Sequence, residues 1–387
     1  MVDKIIPLKG PDRVRLRPAV MFGDIGEKGA LKAVTMLLDL FFAEAYAGCN
    51  PRVSITLKKD DSILVESADG GMVLSEEQEE NGNPAWHNLF CSLYYTPRSL
   101  REGDYQALTR MQGWIFGREV TPDSAYEKDC FIPTYLACVQ YASSFMKVRS
   151  QRDGEIRRLS FEKGYSVSIL EKEAADGASG TTVHFQPDPQ VFGEIRFSRY
   201  DLMRFLEDAA VTAPGLTVSL KDERDGTCQN FSYPGGTYQL AEEKHPDALL
   251  PFFKGKMEAE GKDRYNLPHH KASVSLVLSF GREGTATCYH NGKLLSCGGT
   301  HLEAIYKKAK KHIEFHCRLR RLSLKKLKER LILVVETRAT AGATSWENGA
   351  QNSIQNVMIA HMAEDILNET FGTYVIENED ALRRLLK

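Results

Sequence analysis

Residues 31–47, LKAVTMLLDLFFAEAYA, contain neither Gly nor Pro and are apolar on nearly every face except a stripe of Lys32, Thr35 and Asp39. That pattern predicts a buried helix of about four turns. Downstream the period changes to two. Val53, Ile55 and Leu57 alternate with polar residues, Lys59-Asp60-Asp61-Ser62 turns the chain, and Ile63 and Val65 resume the alternation, which predicts a hairpin with one face inward. Two more hairpins follow. Asp153-Gly154 separates MKVRSQR from EIRRLSF, and Asp225-Gly226 separates LTVSLKDER from TCQNFSY, each dipeptide suited to a tight turn with positive φ. Residues 75–128, rich in Glu, Asn, Gly and Pro with poor periodicity, read as a long, partly helical insertion or lid. Tyr233-Pro234-Gly235-Gly236 punctuates the chain, ASVSLVLSF then opens a new strand pattern, and residues 302–328 follow a helical one. The class is α+β, with a boundary near residue 236.

A chain of 387 residues, 42% hydrophobic and 26% charged, has ample material for a buried core, which excludes disorder, collagen-like repeats and small stapled scaffolds. Fifty Lys and Arg against 52 Asp and Glu leave a formal charge of -2, so affinity for nucleic acid has to come from a local patch. No two of the eight cysteines form a Cys-x-x-Cys pair, and they read as reduced, mostly buried thiols. The start lacks an apolar h-region and the longest aliphatic run is Leu331 to Val335, so the expectation is a cytoplasmic protein with no membrane partner.

The string LKGPDRVRLRPAVMFGD carries Leu8, Gly10, Val14, Arg15, Arg17, Pro18, Gly23 and Asp24. It resembles the start of the ATPase region of DNA gyrase B and of the topoisomerase IV protein ParE, in which Leu-x-Gly, Val-Arg-x-Arg-Pro and Gly-Asp recur in this order. The resemblance continues through LLDLFFAEAYAG, QRDGEIRR, GTTVHFQPDPQVF, LKDERDG, YPGG and CGGTHLEAI, covering nearly the whole chain. It implies a GHKL-type α/β sandwich (gyrase, Hsp90, histidine kinase, MutL) over residues 1–236. A transducer domain like ribosomal protein S5 would occupy 237–387. The cleavage (TOPRIM) domain of the parent enzymes is expected to be absent, so this polypeptide alone could not cut a strand.

The same resemblance implies where ATP chemistry should sit. Hydrolysis in that family needs a general base, a side-chain amide for Mg²⁺, a carboxylate for adenine, a glycine-rich phosphate lid and a lysine for the γ-phosphate. The base position falls on Met36 and the Mg²⁺ position on Leu40, neither able to do the task. The adenine motif falls on Ser67-Ala68-Asp69-Gly70-Gly71, with Ala68 in the carboxylate place unless a one-residue slip brings in Asp69. The lid falls on Cys130 to Tyr135, without glycine, and the lysine position on Gly349, after Glu347 and Asn348. Arg152 and Thr181 are the nucleotide-pocket positions that do match. Losing one base or donor typically lowers a rate by about 10²–10⁴-fold; five such losses imply a pseudo-ATPase for which no cofactor is expected.

Other features have plainer explanations beside their functional ones. From Lys307 to Arg330 eleven Lys and Arg face only Glu314 and Glu329, a surplus of nine positive charges. Lys307, Lys308, Lys310, Lys311, Arg318, Arg320 and Arg321 are the candidates for DNA contact, since the resembled transducers enclose a passing DNA segment; a solvated basic helix is the alternative. His312 and His316, spaced i, i+4 before Cys317, suit a metal but lack a third ligand in sequence. Met36, Leu40, Phe41 and Phe42 could line an apolar pocket, but core packing suffices. Gly298 to Glu303 marks the family and is explained structurally.

The expectation is a nucleotide-incompetent relative of the gyrase B ATPase region. It would act as a structural or regulatory subunit, as a homodimer or in a heterodimer with a topoisomerase or gyrase subunit, with DNA as a further partner. The enzyme alternative is an ATP- and Mg²⁺-dependent type II topoisomerase ATPase subunit using displaced Asp39, Glu44 or Asp69. A third reading is an antagonist that forms inactive heterodimers.

Overall fold

In the computed structural model, which describes residues 8, 10–46, 51–68, 70–93, 132–261, 270–339, 345–346 and 353–387, the chain divides into two compact units. The first ends at Ser232; the second comprises Val211–Pro214 and everything from Tyr233 on.

In the first unit the period-two segments become the strands of one mixed sheet. They are β1 (Arg52–Leu57), β2 (Ile63–Ser67), β3 (Ser143–Arg152), β4 (Glu155–Glu162), β5 (Tyr165–Ser166), β6 (Glu171–Ala174), β7 (Gly180–Pro187), β8 (Thr217–Asp222) and β9 (Thr227–Ser232). The order is β5-β4-β3-β7-β2-β1-β8-β9, with β6 also on β4; only β1 and β8 run parallel. All three sequence-read hairpins form: β1–β2, β3–β4 and β8–β9. At the second, Asp153 and Gly154 both take positive φ, as the turn demands. Alternation buries Val53, Ile55, Leu57, Ile63, Val65, Val183 and Phe185 on one face.

Helices supply the rest of that core: α1 (Gly10–Arg15), α2 (Pro18–Phe22), α3 (Glu27–Tyr46), α4 (Ala85–Cys91), α5 (Ile132–Tyr141), α6 (Pro189–Phe192) and α7 (Arg199–Thr212). The Phe42 and Phe205 rings stack between α3 and α7 with centroids 6.0 Å apart. The polar stripe read on α3 needs correction. Lys32 is exposed, but Thr35 and Asp39 are buried, and the helix begins at Glu27. Arg15 anchors the N-terminal segment: its guanidinium donates to the Tyr141 carbonyl at 3.0 Å and pairs with the buried Asp188 at 2.5 Å. Of the expected insertion, α4 is described; residues 94–128 lie outside the described residues.

The second unit holds α8 (Gly236–Lys244), β10 (Phe253–Gly261), β11 (His270–Phe280), β12 (Thr285–His290), β13 (Lys293–Leu295), β14 (Gly298–Gly299), α9 (Thr300–His316), α10 (Leu324–Lys328) and β15 (Leu331–Ala339). After them come β16 (Ser345–Trp346), β17 (Ser353–Gln355), α11 (Val357–Ile366), a π-helical turn (Leu367–Phe371), α12 (Gly372–Glu377) and α13 (Glu379–Leu386). A five-stranded sheet runs β10-β11-β15-β12-β13, and β14-β17-β16 form a small second one. The apolar faces of β11, β15, α9 and α11 meet in one core that includes Leu276, Leu333, Ile305, Ile313 and Ile359.

The single helical pattern read over 302–328 is two helices. Cys317 and Leu322 are drawn into the core, Arg318 takes φ 50°, and the Glu314 carboxylate accepts the Leu322 N–H at 2.9 Å. Ser323 then caps α10 by accepting from Lys326 N–H at 3.1 Å.

Candidate functional site

α3 carries Met36 and Leu40, the positions on which the sequence resemblance places a hydrolytic base and a Mg²⁺ ligand. Met36 and Leu40, spaced i, i+4, are 2% and 1% exposed, and Phe41 and Phe42 beside them are equally buried. The face is therefore closed packing in the first unit's core, with no charged or amide group at either position. Asp39 is also buried. The side chain of Glu44 lies outside the described residues.

The adenine-motif segment follows β2. Ala68 is exposed and Asp69 lies outside the described residues. The following residues 70–72 are clamped onto β3 and β7. Thr181, buried on β7, donates its hydroxyl proton to the Gly70 carbonyl at 2.9 Å and accepts the Met72 N–H at 2.8 Å. Ser150 on β3 donates to the Met72 carbonyl at 2.7 Å, and Arg152 donates to the Gly71 carbonyl at 3.2 Å. Gly71 is required by this approach, since a β-carbon there would stand 2.3 Å from the Gln151 carbonyl oxygen. Arg152 and Thr181, which the sequence resemblance matches to a nucleotide pocket, are thus brought together on one three-residue stretch. Thr181 has one proton, and Gly70 holds it.

Beside the clamp is a pocket of about 260 Å³ lined by Met72, Leu74, Ser150, Arg152, Asp153 and Arg157, among others. Its charges pair internally: Arg152 with Asp153 at 3.0 Å, and Arg157 with Glu155 at 2.6 Å and the Leu74 carbonyl at 2.7 Å. Such a pocket lacks the cationic surplus a polyphosphate needs. Ser150, Met72 and Arg157 carry no signal in the sequence, because they meet only through strand pairing and no local spacing reports that.

The remaining lid and lysine positions are only partly described. Residues 132–135 open α5, so the second part of the lid match is helical; Cys130, Phe131, Glu347, Asn348 and Gly349 lie outside the described residues.

The basic segment is broken by the α9–α10 connection. Lys307 and Lys311 are exposed on α9, Lys308 and Lys310 are half-buried, and Lys310 pairs with Glu314 at 3.0 Å. Arg318, Arg320 and Arg321 are exposed, but in the connection and not on a helix. Further along, Lys328 pairs with Glu303 at 2.9 Å and sits 4.7 Å from the Tyr306 ring centre. His312 and His316 face Gly372 of α12, while Cys317 points into the core. No helix among the described residues is long and apolar enough to cross a membrane.

No protein-family model matches the chain. Among curated proteins it is similar to the DNA gyrase B protein of Thermotoga maritima, 29% identical over 234 residues, 60% of this chain and 33% of that protein. It is similar to the Streptococcus pneumoniae gyrase B protein over its full length, 24% identical, and covers 57% of it. The chain thus spans between a third and just over half of these relatives. Among solved structures it is similar to the 43K ATPase domain of Thermus thermophilus gyrase B in complex with an aminocoumarin, with TM-score 0.70, 22% identity, and coverage of 98% of this chain and 93% of the other. The gyrase B protein from Myxococcus xanthus gives TM-score 0.70 at 20% identity, covering 97% of this chain and 99% of that one. The topoisomerase IV ATP binding domain of Francisella tularensis gives 0.67 at 14%, covering 98% and 95%. These likenesses show that the chain shares the fold of the gyrase B and topoisomerase IV structures named above, and it is similar in sequence to DNA gyrase B proteins along its whole length.

Proposed function

We propose that this chain is a nucleotide-incompetent relative of the gyrase B ATPase region that works by binding. On this reading it is a structural or regulatory subunit, pairing with itself or with an authentic topoisomerase subunit, and it needs neither ATP nor Mg²⁺. The observation that carries the reading is the burial of Met36 and Leu40 at 2% and 1% exposure, where the family places its base and its metal-binding amide. Chemistry and access are missing together. That the Thr181 hydroxyl already gives its one proton to the Gly70 carbonyl supports the same reading. DNA is the further partner, reached through Lys307, Lys311, Arg318, Arg320 and Arg321, all exposed.

Titration calorimetry with Mg²⁺ and a non-hydrolysable ATP analogue, beside an active gyrase B ATPase fragment, tests the proposal. Absence of heat and of thermal stabilisation at millimolar nucleotide is the expected result. Saturable micromolar binding overturns it and makes Asp39, Glu44 and Asp69 the residues to pursue.

A further inference from the structure

The five-stranded sheet of the second unit ends on a long, regular strand. β10 lies at the edge of the order β10-β11-β15-β12-β13 and, among the described residues, pairs with β11 alone. Its nine residues keep an unbroken antiparallel register, from Phe253 opposite Leu278 to Gly261 opposite His270, with neither proline nor bulge. An edge of that kind is a template for another strand, and proteins generally blunt it.

The ladder fixes which backbone groups this edge presents. At the end of β11 the Gly281 N–H donates to the Arg330 carbonyl at 2.9 Å on the β15 side, and the Phe280 carbonyl accepts the Leu249 N–H at 2.7 Å on the other side. Successive residues of an antiparallel strand turn their N–H and C=O groups to opposite sides, so the even-numbered residues of β11 bond β10. In the observed register those residues meet the odd-numbered ones of β10. Lys254, Lys256, Glu258 and Glu260 therefore direct their N–H and C=O groups away from the sheet. Their side chains share one face, all four are exposed, and their charges run plus, plus, minus, minus.

We propose that β10 pairs antiparallel with β10 of a second copy of this chain, about a two-fold axis at Met257. That register sets Lys254 against Glu260 of the second copy and Lys256 against its Glu258, and the axis repeats both pairs. Every outward N–H then meets an outward carbonyl. Sliding one copy by two residues, the smallest shift that keeps the backbone groups matched, opposes Lys256 to Lys256 or Glu258 to Glu258, so charge selects a single register. On the other face Met257 meets Met257 and Ala259 meets Gly255, which adds cover to two side chains only half-buried against the core. Lysine by itself guards an edge; one sign on each half does the reverse for a two-fold partner. Within one chain Lys256 already meets Glu258 at 2.8 Å, and Lys254 lies 3.0 Å from the Tyr238 ring centre. Exposed ion pairs contribute little net energy, so the charges set the register and the backbone hydrogen bonds hold the strands. This inference rests on the self-pairing proposed above and names its surface.

The test is sedimentation equilibrium of the full chain without nucleotide, with hydrogen exchange of the β10 amides. The parent should dimerise with rising concentration, and the amides of Lys254, Lys256, Glu258 and Glu260 should gain protection as it does. Lys254→Glu with Lys256→Glu makes the edge wholly acidic, and Glu258→Lys with Glu260→Lys makes it wholly basic. Each double variant should raise the dimer dissociation constant roughly tenfold or more, because like charges then face each other. Mixing the two should restore a dimer, since every facing pair is again opposite in sign, and that rescue shows that both variants fold. A dimer that neither variant weakens, or a mixture that stays dissociated, overturns the edge pairing and leaves self-association to another surface. A parent chain that remains monomeric up to millimolar concentration overturns the edge pairing and self-association together, leaving a topoisomerase subunit as the partner in the proposed function.

Discussion

Acid should loosen the second unit through His290. The residue ends β12 at 1% exposure, and its Nδ1 lies 2.9 Å from Thr337 Oγ1. Thr337 already donates its one proton to the Tyr289 carbonyl at 3.0 Å, so it accepts from His290, and the imidazole is the neutral Nδ1–H tautomer. Burial first, and His301 second, push the His290 pKa down to about 3. A depressed histidine pKa means that the unfolded chain takes the proton first. The stabilisation is complete above about 6.5 and drains away as pH falls toward the folded value. Between pH 7 and pH 5 linkage gives a loss of about 2 kcal/mol. Glu336 on β15 acts in the opposite direction, because burial raises its carboxyl and protonation relieves it in acid. Comparing the parent with His290→Asn, whose amide can still donate to Thr337, cancels that contribution. Urea unfolding at the two pH values, read by hydrogen exchange of β12 and β15 amides, should show the parent losing about 2 kcal/mol more than the variant. Equal losses, with the His290 ring titrating near its ordinary value, would falsify the reasoning.

Restoring family-type residues by Met36→Glu with Leu40→Asn should not restore nucleotide binding, and should destabilise the first unit by about 2–5 kcal/mol through burial of unpaired polar groups. Calorimetry and thermal melting check both halves, and a regained binding isotherm would show that the site's loss resides in these two residues alone. Thr181→Val removes both hydrogen bonds on residues 70–72, leaving a buried carbonyl and N–H unmet, and should lower stability by about 1–3 kcal/mol in denaturant titration. An unchanged midpoint would mean the clamp is dispensable. Gly284→Ala places a β-carbon 2.0 Å from the Lys328 carbonyl oxygen, a backbone atom that cannot swing aside. The expected loss is about 1–3 kcal/mol, and a melting temperature equal to the parent's would refute the close approach.

The hairpins were legible because alternation and turn chemistry agree: Asp153-Gly154 sits between two runs whose inward residues, Val148 and Leu159, pair across the strands. α3 was legible as buried but not in its stripe, since Thr35 satisfies its hydroxyl on the Lys32 carbonyl and so needs no water. The α9–α10 break escaped periodicity because Leu319, Leu322 and Leu327 keep apolar residues coming through it. What ends the helix is the left-handed Arg318, a conformation that composition does not announce. The clamp on residues 70–72 joins segments far apart in sequence, so no window along the chain could contain it.

On the reading proposed above, the burial of Met36 and Leu40 also has a thermodynamic sense. A site that must take up Mg²⁺ and a nucleotide keeps polar groups poised and partly unmet until the ligand arrives, and that ligand then stabilises the fold by mass action. A chain with no ligand has no such return, and an apolar side chain fully buried at each position contributes about 1.5–3 kcal/mol instead. The same logic reaches Thr181 and Arg152. Their family-type side chains persist, yet both bind the backbone of residues 70–72 and hold the end of β2 against β3 and β7. Identity at a family position therefore reports function only when its polar atoms remain open to a ligand. Here Thr181 gives its one proton to the sheet, Arg152 ties the same stretch while still lining the adjacent pocket, and the two mismatched positions serve the core.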